Sequence, residues 1–139
     1  MADKTGKIHH TIQVNVDFFE RRFTENYGIR YPESHVIRFY LQILKHKYGI
    51  TSGRLLDFGC ALGTHSRYFH DNGFDLVACD SSKTAIKKAK NGHPDIADCF
   101  FVNQPVPDFS ELEGTFDVIF CNQVLPYFTN AALRKLVDK

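Results

Sequence analysis

The feature that most constrains this chain is a short apolar run that leads directly into a turn of small residues. The run extends from Leu55 to Phe58, and Gly59, Ala61 and Gly63 follow it before a helical stretch begins. A buried strand followed by such a turn lets backbone N–H groups at a helix N-terminus approach a ligand closely. The order strand, turn, helix therefore predicts a ligand site at a strand end in an α/β fold.

Three further apolar runs follow this turn, at Phe74–Cys79, Cys99–Val102 and Val118–Cys121. Helical stretches separate the first three of the four runs, and Ser82 is a suitable N-cap for the helix between the second and third runs. Strands that alternate with helices predict a parallel, doubly wound sheet with right-handed crossovers. The stretch from Pro105 to Gly114 is predicted to be a loop on the rim where such sheets bind ligands.

The N-terminal part of the chain carries helix signals. Apolar and polar residues alternate over residues 8–16, which predicts an extended arm or a short extra strand. Asp17 with Glu20 three residues later resembles an N-terminal capping box, and a second helix is predicted to begin at Pro32. The apolar face of this second helix comprises Val36, Ile37, Tyr40, Leu41, Leu44 and Tyr48.

Length and composition exclude several classes of protein. At 139 residues, the chain has the length of one domain. Its 17 Lys and Arg nearly balance its 16 Asp and Glu, so it lacks the excess of positive charge that binding to nucleic acid requires. The run of Lys87, Lys88 and Lys90 is interpreted as the solvated face of its helix. No apolar stretch approaches the ~18 residues of a membrane span, and the four cysteines form no close pair. A cytoplasmic protein with free thiols, no metal site and no membrane contact is expected.

Two carboxylates indicate which ligand the turn would bind. Asp80 ends the next strand, 21 residues after Gly59, where a carboxylate can accept hydrogen bonds from both hydroxyls of a ribose. The dinucleotide pattern would require a small residue at position 64, where the chain has Thr64. Asp57 would repel a pyrophosphate but attract the ammonium and sulfonium groups of S-adenosylmethionine. The residues therefore favour S-adenosylmethionine over a dinucleotide.

Together these motifs resemble those of the class I S-adenosylmethionine-dependent methyltransferases. The first motif corresponds to residues 55–64, with Ala61 in place of the middle glycine; residues 74–80 resemble the second motif and residues 116–125 the fourth. The resemblance covers roughly residues 53–128. It implies a Rossmann-like doubly wound parallel sheet, S-adenosylmethionine as methyl donor and S-adenosylhomocysteine as product.

The same resemblance implies a set of cofactor-binding residues. These are Asp57, Gly59, Ala61, Gly63, Asp80, Gln104, Asn122 and Leu125. The backbone of the turn is expected to line the methionine and ribose portion of the cofactor. Asp57 is expected near the amino group, directly or through water, and Asp80 on the ribose.

Residues after the third and fourth strands complete this expected site. Asn122 would lie beside the methionine end, and Leu125 would pack on the adenine. The family often places an acid after the third strand, but this chain has Asn103 and Gln104 there. The side-chain carbonyl of either residue could accept a hydrogen bond from the adenine amino group.

No residue stands out as a catalytic base. The candidates are His35, His65 and Tyr127, and each has a simpler structural interpretation as a helix-start or packing residue. Methyl transfer needs mainly positioning and exclusion of water, and a base only when the acceptor must lose a proton. The predicted function is methylation of an unidentified small-molecule acceptor. The alternatives are a non-catalytic module that binds S-adenosylmethionine or S-adenosylhomocysteine, an inactive fragment and, third, a nicotinamide dehydrogenase.

The resemblance also divides the chain and sets an expectation for its end. Residues 1–52 are expected to form an arm and helices that cover the cofactor site, and residues 53–139 the cofactor-binding half, within one structural domain. Family members continue through three more strands, so the C-terminal strands of the family fold are expected to be missing after Lys139. An exposed fourth strand predicts homo-oligomers through that edge and little methyl transfer by the chain alone.

Overall fold

A parallel four-stranded sheet forms the centre of the computed structural model, which describes residues 16–103, 112–122, 124, 130 and 134. Its strands are β1 Gly53–Phe58, β2 Phe74–Asp80, β3 Phe100–Val102 and β4 Val118–Phe120. Their order is β3-β2-β1-β4, and every pairing is parallel. The predicted α/β, Rossmann-like doubly wound sheet is thereby confirmed. The order reverses beside β1, so the crevice expected to take a ligand lies where β1 and β4 end.

Helices connect the strands and follow one another along the chain. Their bounds are α1 over residues 16–24, α2 Ser34–Arg38, a π-helical continuation of α2 over Phe39–Lys47, α3 Thr64–Asp71, α4 Lys83–Gly92 and a 3₁₀ helix Pro94–Cys99. The π-helical segment was not predicted, and the Tyr48 N–H closes it by donating to the Ile43 carbonyl at 3.1 Å. The predicted cap of α4 is confirmed, because the Ser82 hydroxyl accepts from the Ala85 N–H at 3.0 Å.

The main core lies between α2, α3 and one face of the sheet. The central strand β1 is covered on both faces of the sheet, so Leu55 on one face and Leu56 and Phe58 on the other are all buried. Phe69 of α3 packs its ring edge-on against Phe120 of β4, with centroids 4.9 Å apart, and against Phe74 of β2 at 5.9 Å. These aromatic contacts fix α3 over the strand ends and hence fix the turn that precedes it.

The N-terminal capping predictions are wrong in detail. Val16 is already helical, so Asp17 lies inside α1 and not at its N-cap. The predicted arm otherwise falls on residues 8–15, which lie outside the described residues. Helix α2 begins at Ser34, two residues after Pro32, because the backbone of the intervening residue is still extended.

Only part of the predicted apolar face of α2 is buried. Val36, Tyr40 and Leu44, spaced four residues apart, face the core, whereas Leu41 and Tyr48 are exposed. One narrow stripe suffices because this helix packs on the core along a single side. The six-residue face predicted from the sequence is therefore too wide.

Two predictions concern the region around the third strand. Cys99 was expected to begin that strand, but it ends the 3₁₀ helix, and the strand begins at Phe100. Pro94 stands at the first position of this 3₁₀ helix, where its fixed φ favours a tight turn. Of the predicted loop from Pro105 to Gly114, only residues 112–114 lie within the described residues.

Helix α1 is held against α4 by polar contacts that the sequence did not indicate. The Glu20 carboxylate accepts from the Thr84 N–H at 3.1 Å and from the hydroxyls of Ser82 and Thr84. Further along, the Lys88 ammonium donates to the Phe23 carbonyl at 2.6 Å. The interpretation of Lys88 as part of a solvated face is therefore wrong, because its side chain reaches across to the C-terminal end of α1.

The predictions from composition concern thiols and membranes. Cys60, Cys79, Cys99 and Cys121 are free cysteines, and the first two are buried, as expected of small apolar side chains. Among the helices that the structure describes, none combines the length and apolar character needed to cross a membrane.

Candidate functional site

A cavity of about 210 Å³ lies at the carboxyl ends of β1 and β4. The turn after β1 forms its floor, and Asn122 and Val124 line it from the segment after β4. Phe19 and Phe23 of α1, with Tyr27 from the following loop, supply an aromatic wall. The cavity therefore occupies the crevice that the strand order predicts for a ligand.

The small residues of the turn are required by its backbone conformation. Gly59, Ala61 and Gly63 have φ values of +79°, +51° and +75°. A Cβ at Gly59 would lie 2.1 Å from a methyl carbon of Val124, and one at Gly63 would lie 2.6 Å from the Phe100 ring. Both glycines thus have a structural reason to be present in addition to any ligand contact. Ala61 adopts a left-handed conformation that glycine would adopt at lower cost.

Asp80 joins the turn to the start of α4 and also lines the cavity. Its Oδ2 accepts from the Ala61 N–H and its Oδ1 from the Ser82 N–H, both at 2.9 Å. A carboxylate can accept about four hydrogen bonds, so Asp80 can accept a further donor beside the backbone N–H groups. Burial raises the pKa of the Asp80 carboxyl, although hydrogen bonds from the backbone N–H groups of Ser82, Ala61 and Ser81 favour its charged form. The remaining acceptor capacity suits a hydroxyl donor such as those of a ribose.

Asp57 is almost completely buried, at 2% exposure, yet it lines the same cavity. The Ser66 hydroxyl donates to its Oδ2 at 2.5 Å. Burial raises the pKa of Asp57 to about 7; the bond from Ser66 opposes this shift and the charge of Asp80 adds to it. Near neutral pH, the Asp57 carboxyl is therefore populated in both its neutral and its charged form. A cation beside it would favour the charged form.

A polar cluster of Glu33, His35, His65 and Asn122 closes the cavity on the side of α2. The Asn122 amide donates to Glu33 Oε2 at 3.2 Å, and its carbonyl lies 3.0 Å from His35 Nε2. His65 Nε2 accepts from the Glu33 N–H at 3.3 Å. Burial lowers the pKa of His65, although the Glu33 carboxylate acts in the opposite direction. His65 therefore connects α3 to the loop before α2.

The structure brings most of the predicted site residues together. Asp57, Gly59, Ala61, Asp80 and Asn122 line one cavity, and Gly63 completes the turn beneath it. Gln104, Leu125 and Tyr127 lie outside the described residues. Sequence reasoning missed Glu33, because its partners His65 and Asn122 are 32 and 89 positions away along the chain.

A parallel sheet with a cavity at its switch point, a turn of small residues and an acid at the end of β2 defines a Rossmann-like, nucleoside-binding domain. Residues 55–139 match a model of the methyltransferase-domain family. This match covers more than half of the chain, which therefore belongs to that family. The cofactor that this membership implies is S-adenosylmethionine, as predicted from the sequence.

Several relatives show how far the similarity extends. The chain is 33% identical over 66 residues to a demethylmenaquinone methyltransferase from Beutenbergia cavernae, covering 48% of this chain and 26% of that protein. A protein from Pyrococcus horikoshii is 26% identical, with a TM-score of 0.59 over 76% of this chain and 49% of its own. Phosphoethanolamine N-methyltransferase 1 from Haemonchus contortus shares the fold, with 12% identity and a TM-score of 0.68 over 94% of this chain and 29% of its own. The chain thus spans about half or less of the length of these three relatives.

Proposed function

We propose that this chain binds S-adenosylmethionine in the cavity and forms the cofactor-binding half of a methyltransferase for a small-molecule acceptor. The observation that carries the proposal is that Asp57, Asp80 and the Gly59–Gly63 turn meet in one cavity at the switch point of the sheet. When bound, the cofactor would supply a methyl group on a positively charged sulfur. Asp80 would hold the ribose, and Asp57 would accept from the amino group.

The remaining walls of the cavity suit a reaction that depends on positioning. Phe19, Phe23 and Tyr27 would exclude water from the bound cofactor and acceptor, and water exclusion strengthens the electrostatic contacts inside. Asn122 is held by both Glu33 and His35, so it is oriented before any ligand arrives. The chain therefore offers a preorganised site in which two ligands could be held in fixed relative positions.

Two alternative functions use the same fold. A non-catalytic module would bind the same cofactor in the same cavity, so methyl transfer distinguishes it from an enzyme. A nicotinamide dehydrogenase is disfavoured because the Thr64 side chain, where the dinucleotide pattern needs a small residue, donates to the Ile29 carbonyl at 2.7 Å. The charge of Asp57 beside a pyrophosphate would also be repulsive.

We further place the protein in the cytoplasm, a location that the free buried thiols of Cys60 and Cys79 support.

Replacing Asp80 tests cofactor binding. Asp80→Asn should weaken binding of S-adenosylhomocysteine, measured by calorimetry, by about 1.5–3 kcal/mol, because a charged acceptor in a buried site is lost. Asp75→Asn is the matched control, since it makes the same change at an exposed position of the same strand. Tighter binding of NAD than of S-adenosylhomocysteine to the unaltered chain would contradict the proposal.

A second experiment separates the enzyme from the binding module. The chain would be incubated with S-adenosylmethionine carrying a labelled methyl group and a panel of amine, hydroxyl and thiol acceptors. Transfer above the level of the Asp80→Asn variant would support an enzyme. Tight cofactor binding without transfer to any acceptor would favour the non-catalytic module.

A further inference from the structure

Acidic side chains predominate over basic ones among the described residues that line the cavity. Asp57, Asp80 and Glu33 line it, whereas no lysine or arginine occurs among the described residues that line it. The proposed function assigns Asp57 to the cofactor amino group and Asp80 to the ribose. Glu33 therefore contributes a carboxylate for which the cofactor offers no further hydroxyl or ammonium group.

The carboxylate of Glu33 is held on one oxygen. Its Oε2 accepts from the Asn122 amide at 3.2 Å and lies 3.5 Å from His65 Nε2 and 3.8 Å from His35 Nε2. Within residues 16–103 and the other described positions, Oε1 has no hydrogen-bond partner. Among the described residues, the carboxylate is thus oriented through Oε2, and Oε1 meets no donor.

Neighbouring histidines do not cancel this charge. His65 Nε2 accepts from the Glu33 N–H, so that nitrogen carries no proton, and burial further favours the neutral ring. His35 Nε2 faces the Asn122 carbonyl, which can only accept, so this nitrogen is the donor. His35 is also the more exposed of the two, and its interaction with Glu33 is therefore weakened by solvent.

Apolar and aromatic side chains surround the same space. Phe19, Phe23, Tyr27 and Ile29 line the cavity together with Glu33. Aromatic faces attract cations, and an aromatic wall beside a carboxylate suits a cationic group attached to an apolar body. A carboxylate or phosphate on the acceptor would instead meet three acids and no lysine or arginine among the described lining residues.

We propose that Glu33 binds the methyl acceptor and that this acceptor is an amine, protonated in water, with an apolar body. This inference rests on the proposed function. The ammonium would donate to Glu33 Oε1 and pass one proton to that carboxylate, which leaves a lone pair on nitrogen. The new nitrogen–carbon bond would then form as the carbon–sulfur bond of the methyl donor breaks, and the proton would leave Glu33 for solvent.

Binding of small probes to the complex with S-adenosylhomocysteine tests the proposal without requiring turnover. Calorimetry would compare benzylamine with benzyl alcohol and benzoate, which share one ring and differ in charge. We expect benzylamine to bind at least about tenfold more tightly than benzyl alcohol, and benzoate more weakly than either. In Glu33→Gln the preference for benzylamine should disappear, while Glu25→Gln, a matched change at an exposed position, should retain it.

The outcomes distinguish this inference from the function on which it rests. If the unaltered chain fails to bind S-adenosylhomocysteine, the proposed function is wrong, and this inference falls with it. If S-adenosylhomocysteine binds but benzylamine shows no preference, or keeps its preference in Glu33→Gln, only the acceptor assignment is wrong. If Glu33→Gln weakens the binding of S-adenosylhomocysteine itself about tenfold, Glu33 contacts the cofactor, and its assignment to the methyl acceptor is overturned. The probe comparison on the unaltered chain decides the matter even if the variant does not fold.

Discussion

Ala61 carries a methyl group in a left-handed backbone conformation, with φ at +51°. Left-handed backbone costs residues with a Cβ roughly 1–2 kcal/mol. Ala61→Gly should therefore raise the free energy of unfolding by about 1 kcal/mol in urea titrations, despite the extra chain entropy of glycine. Ala89→Gly, in the interior of α4, is the control and should lower it by about 1 kcal/mol or more. A loss of stability in Ala61→Gly would show that the methyl group contributes packing that outweighs the strain.

Asp57 makes the stability of the ligand-free protein depend on pH. Its pKa is raised from 3.8 to about 7 on folding, so between these values the folded state binds more protons than the unfolded state. Stability should therefore fall as pH rises from about 4 to about 7, by several kcal/mol, and this contribution should stay constant above that range. Asp57→Asn should remove this fall and be more stable than the unaltered chain at pH 8. Urea titrations at pH 5 and pH 8 provide the measurement.

Ligand binding gives a second measurement at Asp57. If the charge of Asp57 attracts the cationic methionine end, Asp57→Asn should weaken the binding of S-adenosylmethionine and leave the binding of adenosine nearly unchanged. Asp75→Asn is the control, because it makes the same change at an exposed position of β2. An equal loss for both ligands would instead mean that Asp57 acts by shaping the turn.

Helices α1 and α4 are joined at two points along α1, where Glu20 contacts the start of α4 and Lys88 contacts the Phe23 carbonyl. Burial opposes ionisation of Glu20, but hydrogen bonds from Ser82 and Thr84 outweigh it and lower its pKa. This contribution to stability is therefore present above pH 4.5 and is lost as pH falls through the lowered pKa. Between the two polar contacts, Phe23 packs with Leu62 in a small apolar cluster. The aromatic wall of the cavity thus depends on contacts outside it.

Loosening either contact should be visible in α1 before it affects the sheet. Glu20→Gln should raise amide hydrogen exchange over residues 16–24 about fivefold, which corresponds to about 1 kcal/mol of local stability. Lys88→Met should act similarly, because the Phe23 carbonyl near the end of α1 loses the Lys88 donor. Lys87→Met, on the exposed face of the same helix, is the matched control. Unchanged exchange in both variants would show that the apolar cluster alone holds α1.

The sequence correctly predicted the elements that are encoded by residues close together along the chain. The strands, the turn at Gly59 and the cap at Ser82 depend on residues within a few positions of one another, and each is present in the structure. It failed where a contact joins distant parts of the chain: Glu20 was assigned to its own helix but meets Thr84, 64 positions away. The π-helical continuation of α2 has no residue pattern that separates it from an ordinary helix.

Across the protein as a whole, β4 pairs with β1 on one side and has no second partner among the described residues. Ile119 on this strand is 67% exposed. An unpaired strand edge with an exposed apolar side chain favours self-association. The 139-residue chain is therefore expected to form dimers or larger species at micromolar concentration in sedimentation experiments. Ile119→Lys should shift it toward the monomer, and Leu41→Lys, at an exposed apolar position in the π-helical continuation of α2, should not. A stable monomer of the unaltered chain would contradict this expectation.

The acid-rich cavity also bears on turnover. S-adenosylmethionine carries one more positive charge than S-adenosylhomocysteine, so a cavity lined by three acids favours the reactant over the product. S-adenosylmethionine should therefore displace S-adenosylhomocysteine readily, and inhibition by S-adenosylhomocysteine should be weak. The same attraction stabilises the positive charge on sulfur, which leaves the sulfur during transfer, and this would raise the barrier to the chemical step. The acidic cavity would therefore speed the exchange of product for fresh cofactor and slow the formation of the bond between the acceptor and the methyl group.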